Sequence, residues 1–95
     1  MNKIEQEVIT EIANLAGLEP EDIDEAKLDL PLYTNNEKKL PSLGLDSLDA
    51  AELVVELEDR FNVPIAPEES ASIKTIRDAI NLVRQKLPDG KLPDE

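Results

Sequence analysis

The sequence predicts an all-α fold: a small bundle of three main helices plus one short helix, with a long connection between the first and second helices. Three observations carry this. Apolar residues recur every three to four positions along three separate stretches. A residue suited to capping, Asn2, Asp46 or Thr75, stands ahead of each stretch. Prolines and glycines gather between the stretches, where a helix cannot continue. With 95 residues the chain makes one domain, large enough for a real core but with little spare stability.

The first helix is expected over Lys3 to Ala16. Ile4, Val8, Ile12 and Leu15 form its stripe, and Ile9 and Ala16 widen it. Asn2 with Glu5 fits a capping box, and Gly17 suits the left-handed residue after the end. The connection from Leu18 to Leu45 contains Pro20, Pro31, Pro41 and Gly44, with room for one short turn over Glu21 to Ala26. Asn35-Asn36 reads as a turn. The apolar Leu28, Leu30, Leu32, Tyr33, Leu40 and Leu43 imply that the connection packs across the helices. The second helix starts at Asp46-Ser47 and runs to Phe61, where Val63-Pro64 stops it. Pro67 opens the short helix. Thr75 with Asp78 caps the last one, whose core stripe is Ile76, Ala79, Ile80, Val83 and Leu87. The helical domain is thus residues 1–87, and 88–95 form a flexible tail.

Composition excludes much chemistry. There is no cysteine and no histidine, so disulfides, thiol nucleophiles, zinc sites and a Ser-His-Asp triad cannot be built from this chain alone. No metal site is expected; the loop pattern of a calcium sensor is missing. The 22 acidic residues outnumber the 10 basic ones, for a net charge of -12. That balance repels nucleic acid and anionic membranes and favours basic protein partners. No apolar run spans a bilayer and no signal-peptide core is present, so no membrane insertion and a cytoplasmic monomer are expected.

Chemistry concentrates on the helix that begins at Ser47. Its first hydroxyl should be exposed, with a phosphate ester there facing free backbone N–H groups. Asp-Ser at a helix start is also ordinary capping chemistry. With Ser47 set at zero, Leu53, Leu57, Ala50, Phe61 and Val54 fall within about 240–340°, a normal core face. Ala51, Val55 and Leu48 fall at about 40°, 80° and 100°, beside Ser47. Glu58, Asp59, Glu52 and Glu56 rim this second strip. An apolar strip ringed with one sign of charge suits a docking surface; a central helix buried over a wide arc gives the same pattern.

Gly44-Leu45-Asp46-Ser47-Leu48-Asp49, followed by Glu52-Leu53, Leu57-Glu58 and Phe61, resembles the acyl carrier proteins of fatty-acid and polyketide synthesis. The similarity continues through Ile65, Glu68-Glu69 and Ile73-Lys74-Thr75-Ile76. It covers the last half of the chain by residue and the first helix by pattern. The resemblance implies that a phosphopantetheinyl transferase attaches 4′-phosphopantetheine from coenzyme A to Ser47, and that Asp46 helps it hold Mg²⁺. It implies a carrier and not a catalyst, with acyl groups borne as thioesters on the arm. Basic patches of an acyl-ACP synthetase, ketosynthase or acyltransferase would dock on Leu48, Asp49, Ala51, Glu52, Val55, Glu58 and Asp59.

The sequence departs from that family's housekeeping members. The connection before Gly44 is longer, Glu56 stands where a small residue is usual, Arg60 where an acid is usual, and Leu45 where alanine is frequent. These departures suggest a specialised carrier whose long loop, Thr34 to Lys39 within it, helps choose partners. An aminoacyl or peptidyl carrier of a non-ribosomal pathway shares the serine and the arm. A carrier-like interaction subunit that is never modified shares the bundle and the acidic face.

Overall fold

The computed structural model describes residues 3–33 and 42–87. The expectations for Asn2, Asn35-Asn36, Thr34 to Lys39, Leu40 and the 88–95 tail lie outside them. Five helices form among the described residues: α1 (Lys3–Ala16), α2 (Glu25–Leu28), α3 (Ser47–Phe61), α4 (Pro67–Ala71) and α5 (Ile76–Lys86). The three long ones match the sequence reading, and α4 is its short helix. The single turn expected over Glu21 to Ala26 is instead divided in two. Pro20–Asp22 makes a 3-10 turn, and α2 then starts afresh because Asp24 accepts a hydrogen bond from the Lys27 backbone N–H at 3.1 Å. Burial of Leu28 secures the far end of α2.

α1 packs against both α3 and α5, and α2 packs against α5. The stripe Ile4, Val8, Ile9 and Ile12 is buried, together with Ala13. α1 ends as Gly17 requires. Gly17 has φ +74°, Leu18 N–H donates to the Ala13 carbonyl at 2.8 Å, and Gly17 N–H donates to that of Asn14 at 3.4 Å. From α3 come Leu53, Leu57 and Phe61. α5 supplies Ile76, Ala79, Ile80 and Val83, plus Leu82 at the edge of the predicted stripe. α3 stops at Asn62, whose φ of 54° is left-handed, before Val63-Pro64 is reached. Asn tolerates that conformation better than most residues.

The connection is stitched into the bundle. Leu28 and Leu32 are buried in the core, and Tyr33 and Leu43 pack against it. Leu32 N–H donates to the Lys74 carbonyl at 2.8 Å, and Pro31 bridges to Thr75. Long-range ion pairs add to this at the surface. Arg77 grips Asp29 with two bonds, at 2.7 and 3.3 Å, and holds its carboxyl below the usual range. Lys86 meets Glu69 at 2.7 Å, and Arg84 meets Glu5. Such exposed pairs contribute only about 0–1 kcal/mol each, so the apolar core carries the fold.

Candidate functional site at the start of α3

The residues ahead of Ser47 are fixed one after another. Leu43 N–H donates to the Pro31 carbonyl at 2.9 Å, and Leu45 N–H to the Leu32 carbonyl at 3.0 Å. The Leu45 side chain is 1% exposed and so anchors the chain two residues before the serine. Between them Gly44 takes φ +81°, and its N–H donates to Ser42 Oγ at 3.1 Å. A methyl group at Gly44 would meet no atom within 4 Å, so glycine is needed there for its backbone angle and not for space. Gly44→Ala is expected to cost about 1–2 kcal/mol through that angle alone, read as a lower urea midpoint with an unchanged slope.

Asp46 and Asp49 then close a reciprocal cap. Asp46 Oδ1 accepts from the Asp49 N–H at 2.9 Å, and Asp49 Oδ2 accepts from the Asp46 N–H at 3.1 Å. Asp49 also places a carboxylate in the first turn, at the positive end of the helix dipole. Ser47 is the first helical residue and is exposed. The cap is made by its neighbours, so it makes no demand on the serine hydroxyl. These residues fit a phosphodiester: an outward hydroxyl on a rigid helix start, with solvent around it.

The flank beside Ser47 is as the helical winding places it. Leu48 is 75% exposed and Val55 53%, and Ala51 between them is exposed. Glu52, Glu56 and Asp59 are exposed around the strip, and Ala51, Glu52, Val55 and Glu56 line a shallow groove. The pattern is therefore a real surface strip and not the edge of a wide buried arc. Two of the acids have structural partners. Asp49 belongs to the cap, and half-buried Glu58 accepts a hydrogen bond from the Ile65 N–H at 2.9 Å, tying the chain after α3 back to the helix. Nothing in the spacing of Glu58 signals that bond, because its partner lies beyond the helix end.

The back of α3 carries charges that sequence reasoning left unassigned. Arg60 Nε meets Glu7 Oε2 of α1 at 2.9 Å, and Glu11 stands one helical turn along α1 from Glu7. Burial raises the Glu11 pKa most, and the charges of Glu56 and Glu7 raise it further. Glu7 and Arg60 lie on separate helices, 53 residues apart, so no spacing in the sequence signals their meeting.

Residues 6–83 match the family model described as the phosphopantetheine attachment site. The chain belongs to this family of carrier domains. Its members bear 4′-phosphopantetheine covalently on a serine, are modified by a phosphopantetheinyl transferase and interact with biosynthetic enzymes. Among the described residues of this carrier domain, no helix is long and apolar enough to cross a membrane. No group of three or more His, Cys, Asp or Glu among them is placed to hold a metal ion.

Proposed function

We propose that this carrier holds acyl intermediates as thioesters on 4′-phosphopantetheine attached to Ser47, and presents them to fatty-acid, lipid or polyketide biosynthetic enzymes in the cytoplasm. One observation supports the reading above others. The exposed Ser47 begins a helix whose adjoining flank exposes Leu48, Ala51 and Val55 inside a rim of acids. A partner that grips this flank has the attachment point at its edge.

The bound group supplies a thiol on a long arm, where a thioester carbonyl is electrophilic and its α-protons are acidic. The protein's own residues do the rest. On the transferase the Ser47 hydroxyl attacks the pantetheine-bearing phosphorus of coenzyme A and gives its proton to a base of that enzyme; the pyrophosphate bond breaks, adenosine 3′,5′-bisphosphate leaves, and a phosphodiester remains on Ser47. Asp46 holds the helix start through Oδ1, and in a complex with the transferase its carboxylate would help hold Mg²⁺. The exposed carboxylates Glu52 and Asp59 attract basic patches of a synthetase, ketosynthase or acyltransferase. The chain acts as a monomer and catalyses nothing itself.

Intact mass after incubation with coenzyme A and a broad-specificity transferase tests the assignment. The native chain is expected to gain one phosphopantetheine and Ser47→Ala none. Since the cap does not use the Ser47 hydroxyl, the variant keeps its fold. A gain on Ser47→Ala would move the attachment to another serine. No gain on the native chain, with a cognate transferase as well, would favour an unmodified interaction subunit.

A further inference from the structure

The starts of α3 and α5 are both closed by a reciprocal cap. At α3 the partners are Asp46 and Asp49. At α5 Thr75 Oγ1 accepts the Asp78 N–H at 3.1 Å, and Asp78 Oδ2 accepts the N–H groups of Lys74 and Thr75 at 3.1 and 3.2 Å. Lys74 therefore leads into α5 with its N–H already held. One residue of the connection ties these two starts together. Leu32 donates its N–H to the Lys74 carbonyl at 2.8 Å, and its own carbonyl accepts the Leu45 N–H at 3.0 Å. Asp46 and Ser47 come next in the chain after Leu45.

Leu32 is suited to that place. Among Pro31, Leu32 and Tyr33 it alone is fully buried, at 0% exposed. Pro31 before it has a restricted φ and no N–H, and its carbonyl takes the Leu43 N–H at 2.9 Å. Arg77, in the first turn of α5, grips Asp29 and brings the connection to the same end of that helix. The buried side chain thus fixes a backbone whose two polar groups hold two helix starts.

We propose that Leu32 is a positioning residue for the Ser47 site, joining the approach to α3 to the start of α5. Its part in phosphopantetheine transfer rests on the proposed function; the joint is a property of the unmodified chain. A misplacement of about 1 Å, even from a change far from the reacting atoms, costs up to roughly 100-fold in rate. With Leu32 truncated, the acceptor for Leu45 loses its anchor, and the start of α3 keeps only its own cap. The flank of Leu48, Ala51 and Val55 belongs to α3 itself and is left as it is. Truncation therefore acts on kcat more than on KM.

The test compares Leu32→Ala with Ile12→Ala, a truncation at an equally buried site on α1 that has no part in the joint. Both are measured at a temperature where circular dichroism shows them folded, and Leu32→Val with Ile12→Val replaces the pair if either is not. On the unmodified chain, NMR amide exchange at Leu43 and Leu45, referred to Ile80 and Val83, is expected to quicken about 10-fold more in Leu32→Ala than in Ile12→Ala. In Leu32→Ala the kcat for phosphopantetheine transfer is expected to fall about 10-fold with KM nearly unchanged, while Ile12→Ala stays within about 2-fold of native in both. Leu32→Met keeps a buried side chain of similar volume and is expected to restore both readouts. Equal exchange in the two truncations would overturn the joint. An unchanged kcat in Leu32→Ala, or an equal fall in Ile12→Ala, would overturn the positioning role. A native chain that takes up no phosphopantetheine would overturn the carrier reading and the positioning role with it, while the exchange result still decides the joint.

Discussion

Phe61→Ala is expected to remove a third or more of the protein's stability. Phe61 is the one phenylalanine of the chain and is 0% exposed. It ends α3 one residue before the left-handed Asn62, at the turn that sends the chain toward α4. Truncating a buried phenylalanine costs about 3–5 kcal/mol, from lost transfer energy and from the cavity left behind. A chain of this size has roughly 5–14 kcal/mol in all. The other fully buried side chains are Ile, Leu, Val and Ala, and none of them is as large as the ring removed. Urea unfolding should show a midpoint lowered by a third or more. Leu48→Ala is the control. With 75% of Leu48 in solvent, its loss should change stability by no more than about 0.5 kcal/mol. A loss at Leu48 comparable with that at Phe61 would mean that the exposed strip belongs to the core.

The contrast between these two leucine-rich faces was legible in the sequence because helical winding needs only a start point and a period. Once Asp46 fixes the start of α3, Leu53, Leu57 and Phe61 turn inward, and Leu48 and Val55 turn outward. The caps of α3 and α5 were legible for the same reason: their partners stand three residues apart. The path of the connection was not. Leu32 pairs its N–H with Lys74 and its carbonyl with Leu45, partners far apart in the chain whose meeting leaves no periodic trace. The sequence could say that Leu28 and Leu32 would be buried, not that backbone bonds from Pro31 and Leu32 would fix the approach to Ser47. The bond from Ile65 to Glu58 is of the same kind. The candidate site shows a further limit. Asp46 and Asp49 build the cap and also belong to the motif of the carrier family, so the motif alone cannot divide their structural from their recognition roles.

Charge reversal separates those roles on residues that the fold does not use. Glu52 and Asp59 are exposed on the flank beside Ser47, and among the described residues neither takes part in a cap or an ion pair. Glu52→Lys with Asp59→Lys should leave stability within about 1 kcal/mol of the native chain. It should lower the kcat/KM for phosphopantetheine transfer by roughly 10–100-fold at low salt, chiefly through KM, because complementary charge acts on encounter more than on chemistry. Added salt should shrink the difference, since screening at about 1 M confines such fields to about 3 Å. The matched control is Glu21→Lys with Glu68→Lys, exposed acids on other elements than α3, which changes net charge by the same amount. If the control falls as far as the α3 variant, the transferase responds to overall charge and α3 has no privileged docking face. If only the α3 variant falls, the acids around Leu48, Ala51 and Val55 are a recognition surface. The same reversal tested with a synthetase, ketosynthase or acyltransferase would then show which enzymes read it, while the cap residues remain untouched and Ser47 stays where the helix start holds it.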